Sequence, residues 1–347
     1  MRSKLLVLGF LILNSCIDSS QNRTSFFDTE ISYKEVSTEQ TFIFDNIYRP
    51  QVIKVIGDKL LMSDNGGESA FHVLEIQTDN SITYLKGIGR TGRGPGEFTR
   101  LMDFIDADSI IYVYDGAQLK LVGYDLDLNT LPEKEISLNT LGMASSFYSL
   151  TPDKFLAVGL FFDDRFQTYD SSGEISGQFG EIITIKESFT KRDNALAWRS
   201  FGAVNPAGDQ VYLFSANANR IEMYSSEGEL LKTIKGKENP VPEMDLDESG
   251  WPVDNGGVMA YEGLDSDNQY LYGFYSGQKR SSFKKGEGGL FEQMRFKKIH
   301  KLDWELNLVK AFELDHIPTN FVADGNGGVY TTSQTKDGTV VRYVDLD

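Results

Sequence analysis

Two tryptophans and an arginine are the side chains of this sequence best suited to holding a small ligand. Trp198 and Arg199 are adjacent, and Trp251 precedes the next β-rich segment. An aromatic ring stacks on a sugar, and a guanidinium group binds a carboxylate. Large aromatic residues between β-rich segments more often pack in the core, and the sequence favours that interpretation. Ligand binding by these residues is the alternative hypothesis.

A basic stretch between residues 276 and 298 stands out in an acidic chain. Its cationic residues, opposed only by Glu287 and Glu292, are Lys279, Arg280, Lys284, Lys285, Arg295, Lys297 and Lys298. Gly286, Gly288 and Gly289 indicate a long loop, and its contact with a partner or anionic headgroups is one hypothesis. The sequence slightly favours the other, a solvated hairpin. The acidic connection at residues 238–254 suggests a further interpretation, in which the two segments pair with each other.

The sequence predicts no metal ion or other cofactor. His72, His300 and His316 are scattered and have no cysteine nearby. Residues 324–328 have the spacing of a calcium loop but lack its distal bidentate carboxylate, so they predict a turn. No compact hydrolase motif is present. A catalytic site assembled from several strands would leave no such motif, and an enzyme therefore remains an alternative.

The segment at residues 87–98 formally matches a dinucleotide-binding fingerprint. Gly87, Gly89 and Gly92 have the required spacing. The fingerprint works by directing a helix N-terminus at a pyrophosphate, and Gly94-Pro95-Gly96 breaks any helix at that point. We therefore reject nucleotide binding and predict a connection between two sheets.

The first sixteen residues have the layout of a bacterial export signal. Arg2 and Lys4 precede an apolar run of nine residues. This run is too short to cross a hydrocarbon core of about 30 Å, which needs about 20 residues. Leu13-Asn14-Ser15-Cys16 resembles the lipobox, in which the cysteine is acylated and becomes the new N-terminus. We expect a lipid anchor at Cys16, with a plain signal peptide or a buried thiol as the alternative.

Charge and cysteine content restrict the mature chain further. The sequence has 34 basic and 51 acidic residues, and loss of Arg2 and Lys4 takes the net charge from −17 to −19. Such a surface repels phosphate backbones, which argues against nucleic-acid binding. A single cysteine cannot form an internal disulfide, so stability must come from an ordinary core. Residues 16–29 are mostly polar and predict a tether.

A repeat with six copies determines the predicted fold. Each copy contains a pair of β-forming residues, at Leu60-Leu61, Ile111-Tyr112, Phe155-Leu156, Val211-Tyr212, Leu271-Tyr272 and Val329-Tyr330. The spacings are 51, 44, 56, 60 and 58 residues. Four-stranded propeller blades need about 40 to 50 residues, and longer loops extend that. No helical period extends over twelve residues, so we predict an all-β fold, a six-bladed β-propeller over residues 30–347.

The sixth copy ends before a fourth strand. Closed β architectures avoid unpaired edges, which promote aggregation. We therefore expect an N-terminal strand, drawn from residues 31–36, to complete the last blade.

Residues 87–98 are also similar in spacing to the connection between blades of NHL-type propellers, where a glycine turn and a Gly-x-Phe sequence lead into the next blade. Together with the lipobox and the repeat, the chain resembles the TolB-like six-bladed β-propeller lipoproteins of Bacteroidota. The resemblance implies a protein anchored in the outer membrane, on its periplasmic or cell-surface side.

Two functional hypotheses follow. The leading one is a non-catalytic binding or scaffold protein that presents a propeller face to a protein partner or an extracellular ligand. The alternative is a metal-dependent propeller enzyme, an NHL-like lyase or lactonase-like hydrolase with a divalent cation in the channel.

Overall fold

Six antiparallel sheets arranged around a central channel form the fold, in a computed structural model that describes residues 25–94, 96–140, 142–247, 252–254, 257–282 and 296–347. The first strand of each sheet contacts the first strand of the next, which closes the ring. The predicted six-bladed β-propeller is therefore confirmed. Within the described ranges, no helix combines the length and apolar character needed to cross a bilayer.

The strands of the first half of the ring follow one another from the channel outward. Two strands precede blade one, β1 (Lys34–Val36) and β2 (Gln40–Phe44). Blade one contains β3 (Ile53–Ile56), β4 (Lys59–Ser63), β5 (Phe71–Ile76) and β6 (Ile82–Ile88). A short connection contains β7 (Arg90–Thr91) and β8 (Glu97–Phe98). Blade two contains β9 (Leu101–Ala107), β10 (Ile110–Asp115), β11 (Lys120–Tyr124) and β12 (Thr130–Ser137). Blade three contains β13 (Met143–Thr151), β14 (Lys154–Leu160), β15 (Phe166–Asp170) and β16 (Ile175–Phe179).

The second half carries the long insertions. Helix α1 (Lys191–Ala197) precedes blade four, which contains β17 (Ser200–Val204), β18 (Gln210–Ser215), β19 (Arg220–Ser225) and β20 (Leu230–Lys235). A hairpin of β21 (Met244–Leu246) and β22 (Pro252–Asp254) precedes blade five. Blade five contains β23 (Val258–Ser266), β24 (Tyr270–Lys279), β25 (Lys298–Asp303) and β26 (Leu308–Leu314). Blade six contains β27 (Asn320–Ala323), β28 (Gly328–Thr335) and β29 (Gly338–Asp345). Short 3₁₀ turns lie at Phe26–Asp28 and Arg280–Ser282.

The repeated pair explains how the blades pack. Successive side chains of a strand point to opposite faces of its sheet. Leu60 packs between blades six and one, whereas Leu61 packs between blades one and two. The same division holds in each copy, so that the first residue faces the preceding blade and the second faces the following one. The main core therefore consists of six apolar clusters, one between each pair of neighbouring blades.

An N-terminal strand closes the ring, as predicted, but its position in the sequence differs from the expectation. Strand β2 pairs with β29 and supplies the fourth strand of blade six. The expected segment, residues 31–36, instead contains β1, which pairs in parallel with β26 and adds a fifth strand to blade five. Phe42 and Phe44 of β2 pack on the cluster between blades six and one, which explains the choice of strand.

The last residues of the segment predicted to be a tether, 25–29, pack on the domain. Phe27 contacts the rings of Tyr261 and Tyr275, with centroid distances of 6.4 and 6.2 Å. The Asp28 carboxylate accepts a 2.6 Å hydrogen bond from the Lys237 backbone N–H. Residues 25–29 thus belong to the folded domain rather than to a free linker.

A buried histidine lies beneath this N-terminal segment. Tyr33 and Tyr261 hydroxyls lie 2.9 and 3.0 Å from the two ring nitrogens of His300. His300 is fully buried and stacks on Tyr275. Burial, with the nearby Lys298 ammonium, lowers the pKa of His300 to about 3, so its ring is neutral. This geometry gives His300 a packing role.

We call the face at which the first strand of each blade begins the front face. Aspartates at the ends of second strands tie its loops together. The Asp64 carboxylate accepts backbone hydrogen bonds from Tyr48, Arg49 and Gly66. Asp115 makes equivalent contacts, with Thr99 among its donors. Topology places α1, the β21–β22 hairpin and the 3₁₀ turn after β24 on this same face.

Removal of the Phe42 side chain tests the closure of the ring. Phe42→Ala should lower the free energy of unfolding by about 2 kcal/mol, since Phe42 is half-buried against the cluster between blades six and one. Its neighbour Ile43 is 59% exposed, so Ile43→Ala should change stability by less than about 0.5 kcal/mol. Urea denaturation of both variants measures the difference, and equal losses would contradict a closing role for β2.

Candidate functional site

The central channel contains a large cavity. It has a volume of about 840 Å³ and is lined by the first strand of every blade. Charged and hydroxyl side chains lie among its apolar ones. Ligand sites commonly have volumes of about 300 to 1,000 Å³. The channel therefore has the size and the mixed lining of a ligand site.

Three alternate blades place polar side chains at one level of the channel. Lys54, Tyr148 and Asp265 pair across their sheets with the second residue of the repeated pair, in blades one, three and five. The corresponding positions in blades two, four and six are Ile105, Ala203 and Val322, all buried. The propeller thus brings together polar groups that are about 210 residues apart in sequence.

An ion pair crosses this level. Lys54 Nζ lies 2.5 Å from Asp265 Oδ1, and Asp265 Oδ2 accepts a 2.9 Å hydrogen bond from the Ala323 backbone N–H. One carboxylate therefore connects blades five, six and one. The side chain of Lys54 is 29% exposed and lines the channel.

Two further side chains connect neighbouring blades near the ion pair. Asp103 accepts hydrogen bonds from the backbone N–H groups of Phe104 and Phe147, at 2.8 and 2.7 Å. The second of these bonds links blade two to blade three. The Tyr148 hydroxyl donates to the Gly202 carbonyl and links blade three to blade four.

The charges of the channel perturb one another. Burial raises the pKa of Asp103 to about 7, although the two backbone donors and Lys54 oppose the shift. Burial, together with the neighbouring Asp108 carboxylate, raises the pKa of Asp106. Burial would lower the pKa of Lys54, but the Asp265 carboxylate outweighs it and raises that pKa. A carboxyl that changes charge near neutral pH is typical of functional sites.

The histidines do not contribute to the channel. His72 bonds Asp64 at 3.2 Å on the front face, His316 bonds Asp315 at 2.6 Å between blades five and six, and His300 lies under the N-terminal segment. Among the residues that the structure describes, no three His, Cys, Asp or Glu side chains are close enough to share a metal ion. Asp324 accepts from the backbone N–H groups of Asn326 and Gly328, as in a turn.

Trp198 lies in the core, and its ring is surrounded. The guanidinium groups of Arg165 and Arg220 lie 5.3 and 5.4 Å from its centroid. Its Nε1–H donates to the Ile183 carbonyl, and 2% of the residue is exposed. Glu222 pairs with both arginines at 2.8 and 2.6 Å. This placement gives Trp198 a packing role and leaves its ring faces out of reach of a ligand.

The other predicted site residues are dispersed. Arg199 lies at the mouth of the channel, where it pairs with Glu262 at 2.9 Å and lies over the Phe201 ring. Lys279 lies on the front face, 60% exposed and 3.9 Å from Glu238, which is one contact between the basic and acidic segments. Arg280 begins a 3₁₀ turn. The remaining predicted residues, Cys16, Trp251, Lys284 and Lys285, lie outside the described residues.

Sequence reasoning missed the four residues that converge in the channel, Lys54, Asp103, Tyr148 and Asp265. A signal was present in the first strands of the blades. Lys54 interrupts the apolar run Ile53-Lys54-Val55-Ile56. Asp103 similarly lies between two apolar residues, Met102 and Phe104. A charged residue inside a short apolar strand requires a partner or a solvent-filled channel.

Comparison with known proteins supports the six-bladed propeller fold. A family model described as TolB-like 6-blade propeller-like matches residues 25–326. A DUF4221 family member from Bacteroides vulgatus ATCC 8482 superimposes with a TM-score of 0.59 at 9% identity, covering 90% of this chain and 98% of its own. A protein from Bacteroides fragilis NCTC 9343, whose name proposes export, superimposes with a TM-score of 0.53 at 14% identity, covering 92% of this chain and 95% of its own. No functionally curated protein sequence matches the chain.

The raised pKa of Asp103 predicts a pH dependence of stability. The unfolded carboxyl ionises near 3.8, whereas the folded one retains its proton to about 7. The folded state therefore binds more protons between these values, and stability falls as pH rises through the window. Between pH 4 and 7, the free energy of unfolding of the wild type should fall by about 2 kcal/mol relative to that of Asp103→Asn.

Urea denaturation at a series of pH values measures this difference. Asp127→Asn, in an exposed turn, controls for the loss of one carboxylate. If the difference in free energy of unfolding between the wild type and Asp103→Asn stayed constant with pH, Asp103 would ionise alike in the folded and unfolded states.

Proposed function

Since the chain belongs to the TolB-like six-bladed propeller family, we propose that it is an exported, membrane-anchored binding protein whose ligand enters the central channel. One observation carries the proposal. Polar groups from blades one, two, three and five converge in an open cavity of about 840 Å³. A large cavity with a few convergent polar groups is the usual form of a small-ligand site.

The front face is proposed as the side that meets a partner protein. Six of the twelve large apolar residues that are exposed in the described structure lie on this face, namely Tyr48, Phe162, Ile183, Val241 and Ile317 on its loops and Met143 at the start of β13. Only Leu126 lies on a turn of the opposite face. Exposed apolar side chains gathered on one face favour protein contact there. Lys279 adds an exposed cation to the same face.

Export and anchoring through Cys16 form the second part of the proposal. Its support is the signal layout of the first sixteen residues, together with the fold shared with a Bacteroides fragilis protein whose name proposes export. The folded domain begins at Ser25, so eight residues would separate a lipidated Cys16 from it. An outer-membrane location, on the periplasmic or cell-surface side, follows from the same reasoning.

A channel enzyme is the second candidate. The observation that favours it is the pKa of Asp103 near 7, because a carboxyl poised near the working pH suits general acid–base catalysis. The metal-dependent form has less support, since no metal-sharing trio occurs among the residues described. Stoichiometric calcium or zinc in the purified protein, with stability lost to a chelator, would favour the enzyme.

Filling the channel tests the binding function. Ser146 lines the channel, so Ser146→Trp should block it, whereas Ser171→Trp places the same side chain in an exposed turn. Native mass spectrometry after incubation with an extract of small molecules from the cell envelope should show a bound mass for the wild type and Ser171→Trp. The bound mass should be absent from Ser146→Trp. A mass retained by Ser146→Trp would contradict binding in the channel.

Replacement of Cys16 tests the anchor independently. Cys16→Ala should lose metabolically incorporated palmitate and move from the membrane fraction to the soluble fraction. Several acyl chains are needed for durable anchoring, at about 0.8 kcal/mol per buried methylene. Membrane retention of Cys16→Ala without palmitate would argue for attachment through the folded domain instead.

A further inference from the structure

The channel carries an excess of negative charge. Its lining contains one cationic side chain, Lys54, and seven carboxylates, at Asp103, Asp106, Asp108, Glu262, Asp265, Asp267 and Asp324. The whole chain has 51 acidic and 34 basic residues, so the channel is far more acidic than the protein as a whole. A cleft lined by charges of one sign concentrates ligands of the opposite sign.

Several of these carboxylates already have partners. Asp265 pairs with Lys54, and Glu262 pairs with Arg199. Asp267 and Asp324 accept backbone N–H groups of their own turns. Asp265 and Glu262 are therefore neutralised by cations, whereas Asp267 and Asp324, like Asp108, lie in the turns between the first and second strands of their blades.

Asp103 and Asp106 lie within β9 and have no cationic partner among the described residues, although Asp103 accepts the two backbone hydrogen bonds described above. Within the described part of the chain, neither makes a salt bridge within 4.0 Å. Lys54 is the one described cation whose charge acts on both, and its ammonium is committed to Asp265. Ile105 lies at the level of the ion pair. Asp103 lies two positions before Ile105, and Asp106, which is exposed, lies one position after it. The channel thus holds two carboxyl groups, one on each side of this level, that an incoming cation would meet.

We propose that the channel binds an organic cation bearing primary ammonium groups, held by Asp103 and Asp106; the inference rests on the proposed function of the channel as a ligand site. The cavity of about 840 Å³ is far larger than a metal ion requires. Its walls also include the half-buried Phe201 and Leu264, against which a carbon chain packs. An extended alkyl amine matches both the carboxylates and the apolar walls.

Binding should release protons. The ionisable groups that interact with Asp103 come from several blades, namely Lys54, Tyr114, Tyr148 and Asp265. A bound ammonium group favours the ionised form of Asp103, whose pKa is raised to about 7. At pH 7 the binding of one cation should therefore release up to about half a proton from this carboxyl.

Isothermal titration calorimetry on the detergent-solubilised full-length protein tests the proposal with spermidine as the probe. We expect one spermidine per chain at 0.15 M salt, and no binding of octane-1,8-diol or glutarate. Asp106→Asn should weaken spermidine binding by about tenfold, because it removes one of two counter-charges from an exposed position. Ser146→Trp should abolish binding. Asp127→Asn removes an equivalent charge outside the channel and should leave the affinity unchanged.

Titrations at pH 7 in phosphate and in Tris measure the released proton, since the two buffers differ in ionisation enthalpy. The release should disappear in Asp103→Asn. Spermidine binding that is insensitive to Asp106→Asn and Ser146→Trp would reflect general surface acidity and would overturn the proposal. Absence of spermidine binding, alongside a channel-dependent mass from the envelope extract, would overturn the cation class alone and leave the channel as a ligand site.

Discussion

Closure of the ring is the constraint on which the rest of the structure depends. Blade six obtains three strands from the end of the chain and its fourth, β2, from the beginning. Each main core cluster lies between two neighbouring blades, so an open ring would leave one cluster half exposed. Closure also sets the positions of all six first strands at once. The channel and its charges therefore exist only in the closed protein.

The channel residues serve the ring as well as any ligand. Asp265 connects blades five, six and one, Asp103 connects blades two and three, and Tyr148 connects blades three and four. These contacts satisfy the buried ends of the side chains while part of each group still faces the cavity. A polar site built in this way is rigid, because its side chains are already held by backbone groups before a ligand arrives. Pre-organisation of this kind suits a binding protein.

The insertions lie on one face of this rigid ring. Propeller topology brings the connections between blades and the loops after second strands to the front face. The N-terminal segment also reaches the domain there, through the contact of Asp28 with Lys237. An anchor at Cys16 and a partner on the front face would then act on neighbouring surfaces of blades four and five. The opposite face is formed mainly by short turns, which offer less area for contact.

The sequence by itself determined the blade count, the all-β class and the need for a closing strand. The repeated pair carries that information locally, because adjacent side chains of one strand must fill the clusters on both sides of a blade. Only the tertiary structure decided which N-terminal segment closes the ring, since β1 and β2 are both short β-forming runs and differ in the clusters they meet. It also decided the site. Lys54 and Asp265 are 211 positions apart, turn lengths vary between blades, and no local pattern records which side chains meet across a channel.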